Sequence, residues 1–280
     1  MILNQLKGAV EFASHLPRYR EIIAILWKYG FADVLRLVAL QRFLGIEDAT
    51  LAVHEEGLLS KPVPERMRLA LGELGPTFVK FGQIVSSRRD LVTDEYYVEL
   101  CKLQTQVPSF SAREARAIVA EELGRPLSEV FARFEDKPVG SASIAQVHAA
   151  RLPDGTKVAV KVQRPDIEEV IELDLAVLLD LARFVDRHVP EISGVNPIGV
   201  VLEFSSTLRK ELDFNNEAMN IERFAAQFEN NPWIKVPKVY RELSTSKVLT
   251  MEFLSGRSIM DVAGLERAGV DAIKLAEHIT

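Results

Sequence analysis

The fold of this chain is decided by residues 143–165, which read SIAQVHAARLPDGTKVAVKVQRP. Apolar residues recur at every second position on both sides of Pro153-Asp154-Gly155, a tripeptide typical of a tight turn. Three valines share one face of the second strand: Val158, Val160 and Val162. Because side chains alternate along a strand, Lys161 lies on the other face. We therefore predict a β-hairpin, the second and third strands of a small antiparallel sheet, ended by Pro165.

Helical patterns precede the hairpin. Residues 1–130 are predicted to form a helical extension. Ser111 is followed three residues later by Glu114, the signature of a capping box, and Gly124 is placed to end that helix.

Helical patterns also follow the hairpin, and they continue through His188. Asn196-Pro197 then begins another helix, which we predict to run to Glu229 with a break near 210–213. Two short strands are predicted around 236–242 and 247–253, and a final amphipathic helix is predicted after Ser255-Gly256. The chain is therefore predicted to be an α+β protein.

Composition limits the classes of function. The 280 residues are 48% hydrophobic and 26% charged, which is typical of a globular protein rather than a disordered one. A net charge of −6 does not favour nucleic-acid binding, and the single cysteine, Cys101, cannot form an intramolecular disulfide. No run of about 18 apolar residues occurs. These features predict a cytoplasmic location without nucleic-acid partners.

The N-terminal segment allows two interpretations. Residues 1–42 hold six basic and three acidic side chains around an apolar group, Ile22, Ile23, Ile25, Leu26 and Trp27. One interpretation places this group on an anionic membrane surface as a peripheral contact. The other, which we favour, packs it against its own domain.

Lys161 is the first candidate for chemistry. An ammonium among small apolar residues is costly to bury unless an anion meets it. In kinase-like folds a lysine on the third strand holds the α and β phosphates of ATP and is fixed by a helix glutamate. The alternative is a lysine that extends from an edge strand into solvent. The tetrapeptide Val-Ala-Val-Lys161 alone does not choose between them.

The residues before Lys161 favour a phosphate site. Small side chains let the backbone approach a phosphate closely. A run of mostly small residues precedes β-like sequence, and six of its members are candidates for nucleotide binding: Gly140, Ser141, Ala142, Ser143, Ala145 and Gln146. Only one glycine is present, so a search for a glycine-rich loop would miss this segment.

Residues after Lys161 supply a partner and a linker. Asp213, Glu217 and Asn220 are spaced to share one helical face, and we predict Glu217 as the partner of Lys161. A solvated acidic face is the alternative. In a kinase the segment joining the two lobes binds the adenine edge, and here it is predicted to include four residues: Met251, Glu252, Phe253 and Leu254.

These motifs together resemble the UbiB/AarF atypical protein-kinase-like family, over roughly residues 20–280. The resemblance rests on an alanine-rich loop in place of the glycine-rich one, on Val-Ala-Val-Lys-Val-Gln-Arg-Pro165, and on three further motifs. They are Lys-x-Gly-Gln at Lys80 to Gln83, Glu-x-Asp at Glu211 and Asp213, and the pair Glu217 and Asn220. Gly140-Ser141 departs from the alanines of many members.

The resemblance implies roles that the residues alone do not give. Lys80 and Gln83 are expected to lie across the nucleotide site near Glu211 and Asp213, as regulatory residues. It implies an ATPase or kinase-like enzyme that uses ATP and Mg²⁺ and supports ubiquinone or prenyl-lipid biosynthesis. Implied partners are prenyl-lipid intermediates and quinone-biosynthesis enzymes, at the inner membrane surface. A non-catalytic scaffold that binds nucleotide or lipid is the alternative.

The resemblance also sets expected domain boundaries. A helical extension would occupy residues 1–130, a kinase-like N-lobe 131–254, and a linker with the beginning of the C-lobe 255–280. Beyond Phe253 the acidic residues are Asp261, Glu266, Asp271 and Glu277, and they do not form a kinase catalytic loop. We therefore expect the C-lobe to be essentially absent, the magnesium ligands to lie in it, and this chain alone to be inactive.

Overall fold

The computed structural model of this chain describes residues 2–31, 57–89, 92–104, 108–188, 196–259, 261–271 and 275, with side chains described from residue 15 onward. Two compact units form within it. The helical unit comprises 1–109, 141–145 and 163–212, and the sheet unit comprises 110–140, 146–162 and 213–280. The units are made of interleaved segments, and the predicted boundaries at residues 130 and 254 stay a prediction.

The helical unit is built from six helices within its described residues. They are α1 (Ile2–Lys28), α2 (Val63–Leu74), α3 (Pro76–Ser87), α4 (Asp94–Cys101), α7 (Ile167–His188) and α8 (Pro197–Leu212), with a 3₁₀ turn at Lys102–Gln104. Proline occupies the first turn of α2 and of α3, where a missing N–H costs nothing. Among the described residues up to Cys101 the chain is thus helical, as the sequence pattern predicts, and the extent of the extension stays a prediction.

The core of the helical unit includes the apolar residues of α1 for which two interpretations were open. Ile22, Ile23, Ile25 and Trp27 are each at most 8% exposed, and Leu26 packs against the same cluster. These side chains therefore pack on their own unit, as we favoured. The basic residues Arg36 and Arg42 and the acidic Asp33 lie outside the described residues, and the side chains of Lys7 and Glu11 do also.

A buried ion pair ties α1 to α7 inside this unit. Arg18 Nε donates to Asp174 Oδ1 at 2.6 Å, and the Asp174 side chain is fully buried. Arg18 Nη2 also donates to the Leu74 carbonyl, at the end of α2, at 2.5 Å. A single guanidinium thus joins three helices.

The sheet unit contains the predicted hairpin. Its strands are β1 (Arg133–Phe134), β2 (Gly140–Ser141), β3 (Ala145–Arg151), β4 (Lys157–Gln163) and β5 (Val248–Glu252). The order is β1-β3-β4-β5, and β2 pairs with β3. The hairpin strands β3 and β4 are therefore second and third in spatial order, and the α+β class is confirmed.

Helices of the sheet unit cover one face of the sheet or carry site residues. They are α5 (Ala112–Leu123), α6 (Leu127–Val130), α9 (Phe214–Gln227) and α10 (Val262–Arg267). Val158, Val160 and Val162 are fully buried in a core shared with Ala115 and Val119 of α5. The capping box of α5 forms as predicted, and Gly124 ends the helix in the left-handed region at φ 65°.

Two predicted elements differ from the structure. The strand predicted around 236–242 is reduced to one bridge, Val239 with Met251, followed by a 3₁₀ turn at Arg241–Leu243. The Ser244 hydroxyl donates to the Tyr240 carbonyl, which stabilises this turn in place of a strand. The predicted final helix is interrupted: α10 ends at Arg267, residues 268–271 are not helical, and residue 275 is helical again. Residues 272–274 and 276–280, which include Glu277 and His278, lie outside the described part.

The described residues lack two kinds of feature. None of the helices in these ranges is long and apolar enough to cross a membrane. Groups of three or more His, Cys, Asp or Glu side chains arranged for a metal ion are also not found among these residues.

Candidate functional site

Lys161 and Glu217 meet in the sheet unit, as the sequence predicts. Lys161 lies in the middle of β4, paired in register with Leu249 of β5. Its Nζ lies 2.5 Å from Glu217 Oε2, and the two side chains are 20% and 39% exposed. The same Nζ lies 4.7 Å from the centroid of the Phe214 ring, within range of a cation–π contact. The ammonium is thus held by a carboxylate and an aromatic face rather than extended into solvent.

Asp213 does not share a helical face with Glu217, and this prediction is wrong. The chain leaves α8 after Leu212, and α9 begins at Phe214. Asp213 is the N-cap of α9, and its Oδ1 accepts a hydrogen bond from the Asn215 N–H at 3.0 Å. Aspartate favours this position because its short side chain satisfies an unpaired N–H of the first turn. The predicted break near 210–213 is confirmed.

The small-residue segment forms a tight turn between β2 and β3. The Ala142 N–H donates to the Ala145 carbonyl at 2.8 Å, and Ser143 and Ala145 are buried whereas Ala142 is exposed. Gly140 is exposed, and a Cβ built on it would meet no atom within 4 Å. The glycine is therefore not needed for space within the chain. The position of this turn over a nucleotide stays a prediction.

Gln146 has a structural role inside the sheet unit. Its side chain is fully buried; Oε1 accepts from the Phe110 N–H at 3.1 Å, and Nε2 lies 2.9 Å from His148 Nε2. His148 Nδ1 lies 2.8 Å from the Glu135 carbonyl, which can only accept, so Nδ1 carries the proton and Nε2 accepts from Gln146. Because burial disfavours the charged ring, the pKa of His148 is lowered. The Gln146 amide is thus fully engaged within the protein and does not point to a ligand.

The predicted adenine linker continues β5. Phe253 N–H donates to the Lys157 carbonyl at 3.2 Å, and Glu252 N–H donates to the Lys238 carbonyl at 2.8 Å. The carboxylate of Glu252 accepts from Lys235 Nζ at 2.9 Å, which lowers the pKa of Glu252. Met251 and Phe253 are partly buried, and Leu254 is 41% exposed. These contacts leave the N–H groups of Glu252 and Phe253 bound within the sheet unit.

Lys80 and Glu211 form a second ion pair, in the helical unit. Lys80 lies on α3 and its Nζ contacts Glu211 Oε2 in the last turn of α8; the side chains are 20% and 35% exposed. The resemblance placed Lys80 near Glu211, and the structure brings these two residues together. Gln83, one turn further along α3, donates from Nε2 to the Leu103 carbonyl at 3.1 Å.

Two neighbours explain how α3 presents Lys80. A Cβ on Gly82 would lie 2.4 Å from Leu103 Cδ1, so glycine lets α3 pack closely against the 3₁₀ turn. Phe81 meets Phe204 of α8 edge to face, with ring centroids 5.3 Å apart. The packing of α3 against its neighbours therefore sets the position of Lys80.

Sequence reasoning missed the two residues that follow Lys161 and Val162 at the end of β4. Gln163 is buried and donates from Nε2 to the Leu212 carbonyl at 2.8 Å. The side chain of Arg164 donates to the Ala142 carbonyl, to the Pro108 carbonyl and to the Ser141 hydroxyl. The available signal was a polar pair, glutamine and arginine, placed directly between a buried strand and a proline.

Comparison with known proteins places these motifs in a family. Residues 102–280 match the ABC1 atypical kinase-like domain. The chain is 47% identical over 213 residues, 76% of its length, to a Marinobacter nauticus protein named probable protein kinase UbiB, and it covers 39% of that protein. A protein of the same name from Azotobacter vinelandii is 43% identical over 218 residues, 78% of this chain and 41% of that protein. The chain thus spans about two fifths of the length of these relatives.

One solved structure is also similar, a complex of Rv3197 with erythromycin from Mycobacterium tuberculosis. It is 32% identical and matches with a TM-score of 0.47 over 71% of this chain and 49% of that one. The family match alone covers more than half of the chain, and it agrees with the alanine-rich loop, the strand lysine and the Glu-x-Asp motif. This chain therefore belongs to the ABC1 atypical kinase-like family, of the UbiB/AarF type.

Proposed function

We propose that this chain is the ATP-binding portion of an atypical kinase-like protein that supports ubiquinone or prenyl-lipid biosynthesis. The observation that carries the proposal is the ion pair of Lys161 with Glu217, 2.5 Å apart on a strand and a helix of the sheet unit. The relatives named probable protein kinase UbiB support the kinase-like class. ATP binding and the biosynthetic role are our inference from that pair and from the family.

The chemistry of the pair fits a nucleotide phosphate. The Lys161 side chain is only 20% exposed, so its attraction to a phosphate oxygen is screened less than at an open surface. Glu217 holds the ammonium in place before a ligand arrives, which reduces the entropy lost on binding. In the proposed complex Lys161 holds the α and β phosphates, and Glu217 orients it. ATP, once bound with Mg²⁺, would supply the transferable phosphoryl group.

Lys80 is proposed to be a regulatory residue, as the family resemblance implies. Its ion pair with Glu211 engages a carboxylate of the Glu-x-Asp motif, and Gln83 is held to the Leu103 carbonyl. We therefore propose an ATPase or kinase-like activity in the full-length protein that Lys80 restrains.

Direct nucleotide binding tests the proposal. In the full-length protein, Lys161→Ala should weaken ATP binding by about 10- to 100-fold, because a charge-assisted contact of about 1.5–3 kcal/mol is lost. Adenosine, which has no phosphate, should bind within about twofold of wild type. Isothermal titration calorimetry measures both. Lys247→Ala is the control, because it removes an equal charge from an exposed position of the sheet unit.

Two outcomes would contradict the proposal. A wild-type protein without ATP binding would remove its basis, and so would equal ATP affinity in Lys161→Ala and wild type.

A steady-state ATPase assay separates the enzyme from a non-catalytic scaffold. We expect the 280-residue chain alone to show no magnesium-dependent turnover, and turnover abolished by Lys161→Ala would show that this expectation is wrong.

A further inference from the structure

Arg164 binds the small-residue turn from outside, and it does so within the helical unit. Its Nε donates to the Ala142 carbonyl at 2.9 Å, and its Nη2 donates to Ser141 Oγ at 2.9 Å. The same Nη2 donates to the Pro108 carbonyl at 2.8 Å. The backbone contributes as well, because the Arg164 N–H donates to the Ile144 carbonyl at 2.9 Å. Four hydrogen bonds therefore leave one residue, and three of them end on the turn.

These contacts hold a segment in which Ser143, Ile144 and Ala145 are buried, whereas Ser141 and Ala142 are more exposed. The turn has one internal hydrogen bond, from Ala142 N–H to the Ala145 carbonyl, and all of its side chains except Ile144 are small. Ordering any backbone segment costs conformational entropy, and small side chains offer little surface for packing in return. A planar guanidinium with several donors in fixed directions can hold two acceptors of such a turn at once, which an ammonium cannot do with the same geometry.

Arg164 is itself fixed by its place in the chain. It follows β4 directly, two residues after the fully buried Val162, and Pro165 restricts the backbone next to it. Gln163 anchors the same strand end by donating to the Leu212 carbonyl. The guanidinium is therefore presented from the end of the strand that carries Lys161.

We propose that Arg164 is a positioning residue that holds the 141–145 turn in the conformation needed to receive nucleotide phosphates. This inference rests on the proposed function, because the turn belongs to the segment that the sequence predicts to bind nucleotide. Arg164 acts through the backbone of Ser141, Ala142 and Ile144 and does not itself contact the ligand. Its contribution is preorganisation, because a turn that is already ordered costs less entropy when phosphate binds.

The test compares ATP and adenosine binding in the full-length protein by calorimetry. Arg164→Gln should weaken ATP binding by about tenfold and leave adenosine binding within about twofold of wild type. Arg164→Lys keeps the charge but not the fork of donors, and it should show most of the same loss. Arg209→Gln is the matched control: it removes an arginine of the helical unit whose partner, Glu172, is remote in sequence from the turn.

Amide hydrogen exchange without nucleotide provides a second measurement. Arg164→Gln should accelerate exchange of the Ala142 amide by about tenfold or more relative to Arg209→Gln, because the turn opens more often. Equal losses of ATP and adenosine binding would indicate general damage to the fold and overturn the proposal. Unchanged exchange at Ala142 would overturn it as well.

The two proposals fail in different ways. If wild type binds no ATP while Arg164→Gln still accelerates exchange at Ala142, the proposed function is wrong. The proposed role of Arg164 in phosphate binding is then wrong as well. If wild type binds ATP, Lys161→Ala weakens that binding and Arg164→Gln does not, the proposed function stands and the role of Arg164 is wrong.

Discussion

The helical unit and the sheet unit each hold a lysine–glutamate ion pair, and they position the lysine by different means. In the sheet unit, Lys161 is placed by strand register, opposite Leu249, with fully buried valines on the other face of β4. In the helical unit, Lys80 is placed by helix packing, through Gly82 against Leu103 and Phe81 against Phe204. Both lysines are 20% exposed. The two lysines are therefore equally buried for different reasons: strand pairing fixes Lys161 in the sheet unit, and the packing of several helices fixes Lys80 in the helical unit.

The difference predicts how each pair responds to mutation elsewhere. A strand residue keeps its facing partner as long as the backbone ladder persists. A helix residue depends on the angle and distance at which its helix packs, and these depend on every contact of that helix. Distant changes in the helical unit should therefore disturb Lys80, whereas Lys161 should tolerate changes outside β4, β5 and α9.

The largest expected effect comes from the buried ion pair of the helical unit. Asp174→Ala leaves Arg18, whose side chain is 13% exposed, without its buried partner, and should lower the free energy of unfolding by about 3–5 kcal/mol. Trp27 is 8% exposed in this core and reports its unfolding in urea. Trp233 is the second tryptophan of the chain, and it is replaced by phenylalanine in all variants. The tryptophan fluorescence then comes from Trp27 alone.

Glu172→Ala is the matched control for this prediction. Glu172 also lies on α7 and pairs with an arginine, Arg209, but the two side chains are 45% and 55% exposed. An exposed pair contributes about 0–1 kcal/mol. Equal losses in Asp174→Ala and Glu172→Ala would show that the buried pair does not hold the helices of this unit together.

The second prediction concerns pH and the sheet unit. Burial lowers the pKa of His148 below its usual value of about 6.5, so the unfolded chain binds a proton more readily than the folded one. Stability should therefore be complete above about pH 6.5 and fall as the pH drops below it, by at most about 1.4 kcal/mol per pH unit. Hydrogen exchange of the β3 and β4 amides between pH 7.5 and 5.5, corrected for intrinsic rates, measures this loss.

Two variants separate His148 from other titrating groups. His148→Gln cannot gain the proton, so the pH dependence of β3 and β4 protection should flatten even if the variant is less stable at pH 7.5. His15→Gln, in the helical unit, should leave that dependence as it is in wild type. A slope that persists in His148→Gln would assign it to another group.

Much of the sheet unit follows from local sequence, because period-two alternation and a turn tripeptide fix a hairpin without distant information. The pairing of Lys161 with Glu217 was predicted from the order of a strand lysine and a later helix acid, which is the order found in kinases. Lys80 gave no such signal, because a helix lysine is ordinarily exposed, and only the family resemblance singled it out. Asp213 was misplaced because helical spacing was assumed to continue through a residue that caps the next helix.

Arg164 and Gln146 were harder to assign for the same physical reason. Their hydrogen bonds go to backbone groups distant in sequence, such as the Pro108 carbonyl and the Phe110 N–H. The backbone of every residue carries a carbonyl that can accept such a bond. The side chain of the partner residue therefore does not identify it in the sequence. Residue type indicates that a buried polar group needs a partner, and the fold supplies it.

The smallest expected effect compares the two units at their helix caps. Ser111 caps α5 in the sheet unit with its side chain bonded to the Glu114 N–H, whereas Thr93 precedes α4 in the helical unit without a side-chain cap bond. Ser111→Ala should lower stability by about 1 kcal/mol, because an N–H of the first turn loses its acceptor. Thr93→Ala removes no such bond and should cost less than about 0.5 kcal/mol. Amide exchange in α5 and α4 measures each loss locally, and equal costs would mean that the capping box adds nothing to the end of α5.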